Sequence, residues 1–200
     1  MKKNLNFIIY KKINLIIFSI FFKFFKHIKL KLKGLEVTFL IKKKNLINFL
    51  IILKKNSAFL FNILVDIIVE DFPKKKNRFF LKYIIRSLNF CKFLQISIKT
   101  KEYKPVFSII NVYKSSFWLE REAWDLFGVF FLHNKDLRRL LTDYGFKGKP
   151  FKKDFPLLGF LEIYFDFFYK KLKYKKVKKI QKKQSFYNFK IFCFKKKFKK

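Results

Sequence analysis

The spacing of apolar and polar residues changes several times along the chain, and each change predicts a different element. Residues 1–32 carry apolar side chains at helical spacing with lysines on one side, which predicts an amphipathic helix. Alternating or β-branched apolar residues predict strands at 35–41, 59–70, 79–88 and 92–99. The order of these elements already indicates a protein that mixes helices with a sheet.

Two more segments have the spacing of helices. A short helix is predicted at 46–53, between lysine clusters, and a longer one ends at Phe127 because Gly128 follows it, with Ser108 or Ser115 as its N-cap. Together, the elements predict an α+β fold with a mainly antiparallel sheet and helices on one face, followed by an extended C-terminal arm.

The turns and the C-terminal third have weaker patterns. The run 74–77 predicts an exposed hairpin turn, 100–105 a loop and 137–141 one helical turn, whereas 142–156 predicts irregular chain because it is rich in Gly and Pro. A long irregular segment inside a domain is unusual, so we expect another protein to order it. The predicted organisation is an N-terminal amphipathic extension (1–33), an α+β domain (34–128), an extended arm that docks on a partner subunit (129–169) and a Lys-rich tail (170–200), with at most a weak strand around 186–194.

Charge alone suggests a polyanionic partner. The chain has 48 Lys and Arg against 13 Asp and Glu, for a formal net charge of +35. However, the lysines occur together with 32 Phe and many Ile and Asn, all residues with A/T-rich codons. Drift in an AT-rich genome, such as that of an organelle, would raise all of them, so the charge is weak grounds for inferring nucleic-acid binding.

The cysteines and the N-terminal segment further limit the kinds of protein that this sequence can encode. Cys91 and Cys193 lie far apart and have no neighbouring His, so neither a metal or Fe–S site made by this chain alone nor a disulfide scaffold is expected. The apolar run 13–22 is too short to cross a bilayer, which takes ~20 residues, and no cleavage site follows it. An amphipathic helix is therefore favoured over the alternative, a lone membrane anchor. A gene located in the organelle itself would need no targeting signal.

One stretch, residues 118–156, differs from the rest of the chain. It holds six Asp and Glu against eight Lys and Arg, both Trp, and three of the five Gly. Glu122 and Asp125 share a face of the predicted helix and could act as an acid/base pair, but a structural set of ion pairs, including Arg121 with Asp125, is favoured. No nucleophile, metal-ligand set or phosphate loop is found near them.

The second half of this stretch favours contacts with protein. Arg138 and Arg139 present neighbouring guanidiniums, which suit carboxylates or phosphates. The interleaved acids argue against phosphate, and a lone His133 is more often structural than catalytic. Gly145 and Gly148 lack the context of a nucleotide-binding loop, so we expect positive φ or close backbone approach there.

These residues resemble the signature of a known family. The matching strings are Glu120-Arg121-Glu122-x-Trp124-Asp125-Leu126-Phe127-Gly128-Val129, then His133-x-x-Asp136-Leu137-Arg138-Arg139-Leu140-Leu141-Thr142-Asp143-Tyr144-Gly145-Phe146-x-Gly148, then Lys153-Asp154-Phe155-Pro156. They are similar to subunit 9 of the NADH dehydrogenase of mitochondrial respiratory complex I and to its counterpart in the bacterial NADH–quinone oxidoreductase. The resemblance extends over about residues 34–189. The chain departs from the family by Asn134-Lys135 where proline is usual and by Lys149 where histidine is usual.

The resemblance implies a role without chemistry on this chain. It implies an α+β subunit of an NADH:ubiquinone reductase (H+-translocating), in the matrix arm at the mitochondrial inner membrane, with no active site, cofactor or metal of its own. NADH, FMN, Fe–S clusters and ubiquinone would belong to the whole complex. The expected partners are other complex I subunits, chiefly the 49 kDa-type (D-type) quinone-site subunit, and no nucleic acid is expected.

The expected interface and signature residues are Glu120, Arg121, Glu122, Asp125, Gly128, His133, Asp136, Arg138, Arg139, Thr142, Asp143, Tyr144, Gly145, Phe146, Gly148, Asp154, Phe155 and Pro156. The alternative is a basic organellar RNA-binding protein of ribosomal type, which explains the net charge but not the near-neutral stretch. An independent enzyme that uses Glu122 and Asp125 lacks the other parts of an active site.

Overall fold

A computed structural model describes residues 29–33, 36–57 and 60–177 of the chain. The elements, in chain order, are β1 (Lys29–Lys33), β2 (Glu36–Ile41), a 3-10 turn (Lys43–Asn45), α1 (Leu46–Lys55), β3 (Ile63–Asp71), β4 (Phe79–Ser87), β5 (Lys92–Thr100), β6 (Val106–Phe107), α2 (Ser116–Phe127), β7 (Phe131–Leu132), β8 (Leu161–Asp166) and β9 (Lys171–Lys176). Contacts divide the chain into two units at residues 155/156.

The first unit is built on a five-stranded sheet with the order β1-β2-β5-β4-β3. Neighbouring strands run antiparallel except for β2 and β5, which are parallel. The β3–β4 hairpin turns through exposed lysines at 74–76, as the sequence predicted. The sheet is therefore mainly antiparallel, which confirms the expected α+β class.

One face of the sheet forms the core. Alternate residues of β4, such as Leu81 and Tyr83, are fully buried, and they lie opposite Ile98 and Ile96 of β5 in the register. The apolar side of α1 packs into the same core, and α2 lies against β3. This arrangement follows from the period-two pattern of the strands and the helical spacing of the two helices.

Three local predictions were wrong or only partly right. Residues 29–33, placed in an N-terminal helix, form strand β1, whose alternation Lys-Leu-Lys-Leu-Lys has the period of a strand. The described chain at 137–141 is irregular instead of helical. Of the two suggested caps for α2, Ser115 holds the N-cap position, but its hydroxyl donates to the carbonyl of Leu64 instead of the helix backbone.

The second unit is a hairpin of β8 and β9, which the sequence did not predict and which spans the expected boundary between arm and tail at residue 170. The register puts apolar residues on one face and charged residues mostly on the other. The apolar face is formed by Leu161, Ile163, Phe165, Leu172 and Tyr174, and each of these side chains is exposed.

Some expectations fall outside the described residues. These are the helix over residues 1–28, the weak strand around 186–194 and the tail beyond 177. Within the described ranges, no helix has the length and apolar character needed to span a membrane.

Candidate functional site

The long loop (residues 129–155) lies against α2 and the sheet of the first unit. It has only one short strand, β7, which pairs in parallel with β6. Elsewhere the loop is irregular, as predicted for residues 142–156, and it is positioned by contacts with charged side chains of the domain. This segment belongs to the predicted arm (129–169), and its contact with a partner stays a prediction.

Asp125 of α2 is the main contact between the helix and the long loop. Its fully buried carboxylate accepts hydrogen bonds from the backbone N–H groups of Leu140 (3.1 Å), Leu141 (2.9 Å) and Thr142 (2.9 Å). It also accepts from the Thr142 hydroxyl (2.6 Å) and from Arg139 (2.8 Å). Burial raises the pKa of Asp125, but the Thr142 and backbone donors outweigh it, so the pKa lies below its usual value.

The expected pairing of Arg121 with Asp125 was wrong. Arg121 instead donates to the carbonyls of Arg138 and Arg139, each at 3.2 Å, and its guanidinium lies 4.9 Å from the ring of Trp118. Asp125 pairs with Arg139. The helix therefore binds the backbone donors and acceptors of the same loop. Arg121 donates to the carbonyls of residues 138–139, and Asp125 accepts from the N–H groups of residues 140–142.

Glu120 lies on the same helix but faces the core. Its carboxylate accepts hydrogen bonds from the N–H of Ile109 (2.8 Å), the hydroxyl of Ser108 (2.7 Å) and the amide of Asn134 (3.1 Å). Burial raises the pKa of Glu120 despite these donors. Asn134 thus joins the loop to the helix. Its side-chain oxygen also accepts from the N–H of Asp136 at 3.1 Å.

The C-terminal end of α2 is held by the loop as well. Gly128 ends the helix with a φ of 79°, and its N–H donates to the carbonyl of Trp124 (2.9 Å). Lys149 donates to the same carbonyl (2.8 Å) and lies 3.8 Å from the Trp124 ring centre. Burial, together with the neighbouring charge of Arg139, lowers the pKa of Lys149 to about 8.

A second charged network joins the end of the loop to the sheet. Arg78 binds Asp71 through two hydrogen bonds (2.7 and 2.9 Å) and also contacts Glu102 (2.9 Å) and Asp154 (2.8 Å). Lys152 binds Glu102 at 2.6 Å. The hydrogen bond from Arg78 is the main cause that lowers the pKa of both Asp71 and Asp154.

This network was not predicted from the sequence, although Asp71 and Arg78 carry opposite charges at the two ends of the predicted 74–77 turn. They flank the β3–β4 turn, so a hairpin alignment brings them together, and this was the available signal. Glu102 and Lys152 gave no signal because they are separated by 50 residues and follow no periodic pattern.

The expected interface residues differ in exposure. Three are buried by the chain itself: Glu120, Arg121 and Asp125. A second group is partly buried: Glu122, Gly128, Asp136, Arg139, Thr142, Phe146 and Phe155. The exposed group is His133, Arg138, Asp143, Tyr144, Gly145, Gly148, Asp154 and Pro156.

Glycine has a specific role at two loop positions. Gly145 and Gly148 both have positive φ, as expected, at 78° and 130°. A Cβ on Gly148 would lie 2.5 Å from the ring of Phe155, whereas a Cβ on Gly145 would meet no atom within 4 Å. His133 also has a positive φ, of 66°, and its ring stacks on Phe107 at a centroid distance of 6.0 Å.

Comparison with known proteins matches both the sheet and the long loop. The family model described as "Respiratory-chain NADH dehydrogenase, 30 Kd subunit" matches residues 39–160. This range includes β3–β5, α2 and all the charged contacts described above.

Relatives agree with this match. "NADH-ubiquinone oxidoreductase subunit 9" of Reclinomonas americana is 43% identical over 131 residues, 66% of this chain and 64% of the relative. A subunit of the NADH-quinone oxidoreductase of Paramagnetospirillum magneticum is 38% identical over 151 residues, 76% of each chain. The alignment thus spans less than two thirds of the first relative.

A solved structure supports the fold. A chain from the structure of the membrane-bound sulfane sulfur reductase, an archaeal respiratory membrane complex, has a TM-score of 0.63 at 20% identity. The match covers 72% of this chain and 86% of that one. With the family model covering most of the described domain, the chain belongs to the family of the 30 kDa subunit of the respiratory-chain NADH dehydrogenase.

Proposed function

We propose that the chain is a non-catalytic structural and assembly subunit of the peripheral arm of respiratory complex I. In this proposal it supports electron transfer from NADH to ubiquinone by packing on the 49 kDa-type quinone-site subunit, and it binds no cofactor itself. It lies on the matrix side of the mitochondrial inner membrane. Family membership supports this assignment, and the A/T-codon bias of the composition supports an organellar gene.

The observation that carries the proposal is the orientation of side chains in the long loop. Four of its charged side chains bind the chain's own domain: Arg139, Lys149, Lys152 and Asp154. Large apolar side chains of the same loop are exposed: Tyr144 (92%), Leu141 (61%) and Phe151 (58%). Aromatic residues are enriched in protein interfaces, and clusters of them are rarely left exposed in monomers. The internal contacts therefore give the loop a fixed shape, and its outer side chains are suited to contact a partner.

The hairpin of the second unit supports the same proposal. A two-stranded hairpin is marginally stable in water unless another layer covers its apolar face. Here that face carries five exposed apolar side chains, of which Leu172 and Tyr174 are the most exposed, at 65% and 62%. A partner subunit that covers this face would stabilise it.

The acid/base hypothesis gains no support from the geometry. Asp125 is buried and accepts five hydrogen bonds, so its carboxylate is held ionised and is not open to a substrate. Glu122, the other member of the suggested pair, is only partly buried. This favours an internal structural role for Asp125.

The test replaces two exposed residues and leaves the contacts of Asp125 with the loop intact. Reversing both Arg138 and Arg139 would also break the Asp125 contact, so loss of assembly in that variant would have two explanations. We therefore choose Tyr144→Ala with Arg138→Glu. The Arg138 side chain is 78% exposed and pairs with nearby Asp136. The matched control is Lys76→Glu, a charge reversal in the exposed β3–β4 turn.

Solubilised organelle membranes are separated on native gels, and the band with NADH dehydrogenase activity is analysed by mass spectrometry. The double variant should be depleted from this band, while Lys76→Glu should be retained. Normal incorporation of the double variant would refute the role of the loop. Salt-dependent retention on RNA without co-purifying respiratory subunits would instead favour the RNA-binding alternative.

A further inference from the structure

A cavity of about 500 Å³ lies at one end of the sheet in the first unit. Because β2 and β5 are parallel, their carboxyl ends meet there, and the residues that follow both strands line it. Ten residues line the cavity, and six of them are lysines: Lys42, Lys43, Lys44, Lys99, Lys101 and Lys104. The other four are uncharged, so the lining contains no carboxylate.

The share of lysine in the cavity lining exceeds the share of basic residues in the whole chain. Lys and Arg make up 48 of the 200 residues, so about two of ten lining residues would be basic if they were drawn at random. None of the six lysines forms an ion pair with a described residue, in contrast to the balanced network around Arg78. Lys43 donates to the carbonyl of Pro105 (3.2 Å), and Lys99 lies 4.9 Å from the ring centre of Phe80.

The backbone at the cavity adds to the positive potential. The 3-10 turn Lys43–Asn45 leads directly into α1, and neither has a side-chain cap or an acidic residue in its first turn. Helices usually place anionic groups at this end, where the N–H groups carry partial positive charge. Here the sequence places lysines instead, and a bound anion would offset both the lysines and the helix.

We propose that this cavity binds a multiply charged, phosphate-bearing anion, either free or as the headgroup of an anionic lipid. Lysine acts as a point charge and commonly binds phosphate. The volume is in the range of small-ligand sites, roughly 300–1,000 Å³. This site is separate from the residues of the long loop and does not depend on the proposed function.

The test uses the full-length chain and inorganic tripolyphosphate as the probe, with calorimetry at near-physiological salt. The cavity variant combines Lys42→Gln, Lys44→Gln and Lys101→Gln. All three side chains are exposed, so the fold should not depend on them. The control variant combines Lys114→Gln, Lys135→Gln and Lys147→Gln, which are also exposed and remove the same charge.

The wild-type chain should bind the probe at one saturable site. The cavity variant should weaken the dissociation constant by about tenfold or more, and the control variant by about twofold or less. Equal weakening in both variants would show that net charge, not the cavity, attracts the anion, and would overturn the proposal. The proposal would also be overturned if neither tripolyphosphate nor the vesicles described below bound saturably to the wild-type chain.

A second arm identifies the source of the phosphate. Vesicles of phosphatidylcholine with a minor fraction of phosphatidic acid are mixed with the same three proteins. Vesicle binding that falls in the cavity variant alone, and that tripolyphosphate displaces, identifies a lipid headgroup. Equal vesicle binding by both variants, with tripolyphosphate still distinguishing them, identifies a free phosphate compound. Both results support an anion site in the cavity.

Discussion

Replacing Asp125 by Asn tests whether the helix holds the long loop. The Asp125 carboxylate accepts from three backbone N–H groups, at residues 140–142, and from the side chains of Arg139 and Thr142. An asparagine has one acceptor oxygen and one NH2 donor. Either orientation therefore sets a donor against donors and removes the charge that balances Arg139.

The magnitude follows from the burial of the two groups. Asp125 is fully buried, and the Arg139 side chain is 22% exposed. Removing one partner of a buried ion pair costs ~3–5 kcal/mol, and the partial exposure of Arg139 favours the lower end. For a domain of this size 1 kcal/mol corresponds to about 2–4 °C, so a loss of about 3 kcal/mol should lower the Tm by roughly 6–12 °C.

The assay is thermal unfolding of the isolated chain at neutral pH, followed by circular dichroism, together with limited proteolysis. Cleavage in the Asp125→Asn variant should appear first within the long loop. Asp143→Asn is the matched control, because Asp143 is exposed and its carboxylate accepts from the N–H of the adjacent Tyr144. Its Tm should stay within about 1–2 °C of the wild-type value.

The pH dependence gives a further check. The pKa of Asp125 is lowered from 3.8 in the folded state. Its ionised carboxylate therefore contributes to stability above pH 3.8, and this contribution is lost as the pH falls from 3.8 through the folded-state pKa. The difference between wild type and Asp125→Asn should therefore narrow in acid. A variant as stable as the wild type at neutral pH, with no new cleavage in the loop, would refute the reasoning.

Three other predictions concern single positions. Gly148→Ala should lower the free energy of unfolding by roughly 1–3 kcal/mol, because the new Cβ would lie 2.5 Å from the ring of Phe155. Gly145→Ala should lower it by about 1 kcal/mol, because its Cβ would meet no atom within 4 Å. Equal changes in Tm for the two variants would contradict this. The pKa of Glu120 is raised above 4.5, so its contribution is present below that pH and is lost as the pH rises through the folded-state pKa. The stability of the wild type relative to Glu120→Gln should then fall by up to about 1.4 kcal/mol for each unit of rising pH. Denaturant titrations in which the difference in stability between the two proteins does not change with pH would refute this. The pKa of Lys149 is lowered from 10.5 to about 8, so the wild type should gain stability relative to Lys149→Gln as the pH rises from about 8 to 10.5. Parallel curves of stability against pH for the two proteins would exclude a lowered pKa.

The sequence predicted those parts of the fold that have a clear period. Strands β4 and β5 and the end of α2 at Gly128 were placed within one or two residues, because alternation and a terminating glycine are local signals. Strand β1 was misassigned because its five alternating residues directly follow a longer apolar segment with helical spacing, and the predicted helix was extended over them. The β8–β9 hairpin was not predicted, since lysine enrichment at 170–176 concealed its alternation.

The contacts inside the long loop could not be predicted from the sequence, and the interface role of the signature residues stays a prediction. Glu120, Arg121 and Asp125 were singled out correctly as unusual, yet helical spacing suggested a pair between Arg121 and Asp125. In the structure both side chains bind the backbone of a loop 15–18 residues away. Spacing on a helix describes only neighbours on that helix, so contacts with irregular chain could not be derived from it.

The hairpin of β8 and β9 has a consequence for the abundance of the protein in the cell. An unassembled copy would expose Leu161, Ile163 and Phe165 on one strand face, next to the outer edges of a two-stranded sheet, and such surfaces readily join other chains into insoluble aggregates. Under the proposed function, synthesis of the chain in excess of its partner subunits would therefore be harmful. Surplus copies would then be degraded quickly, so that the amount of the chain would follow the amount of assembled complex.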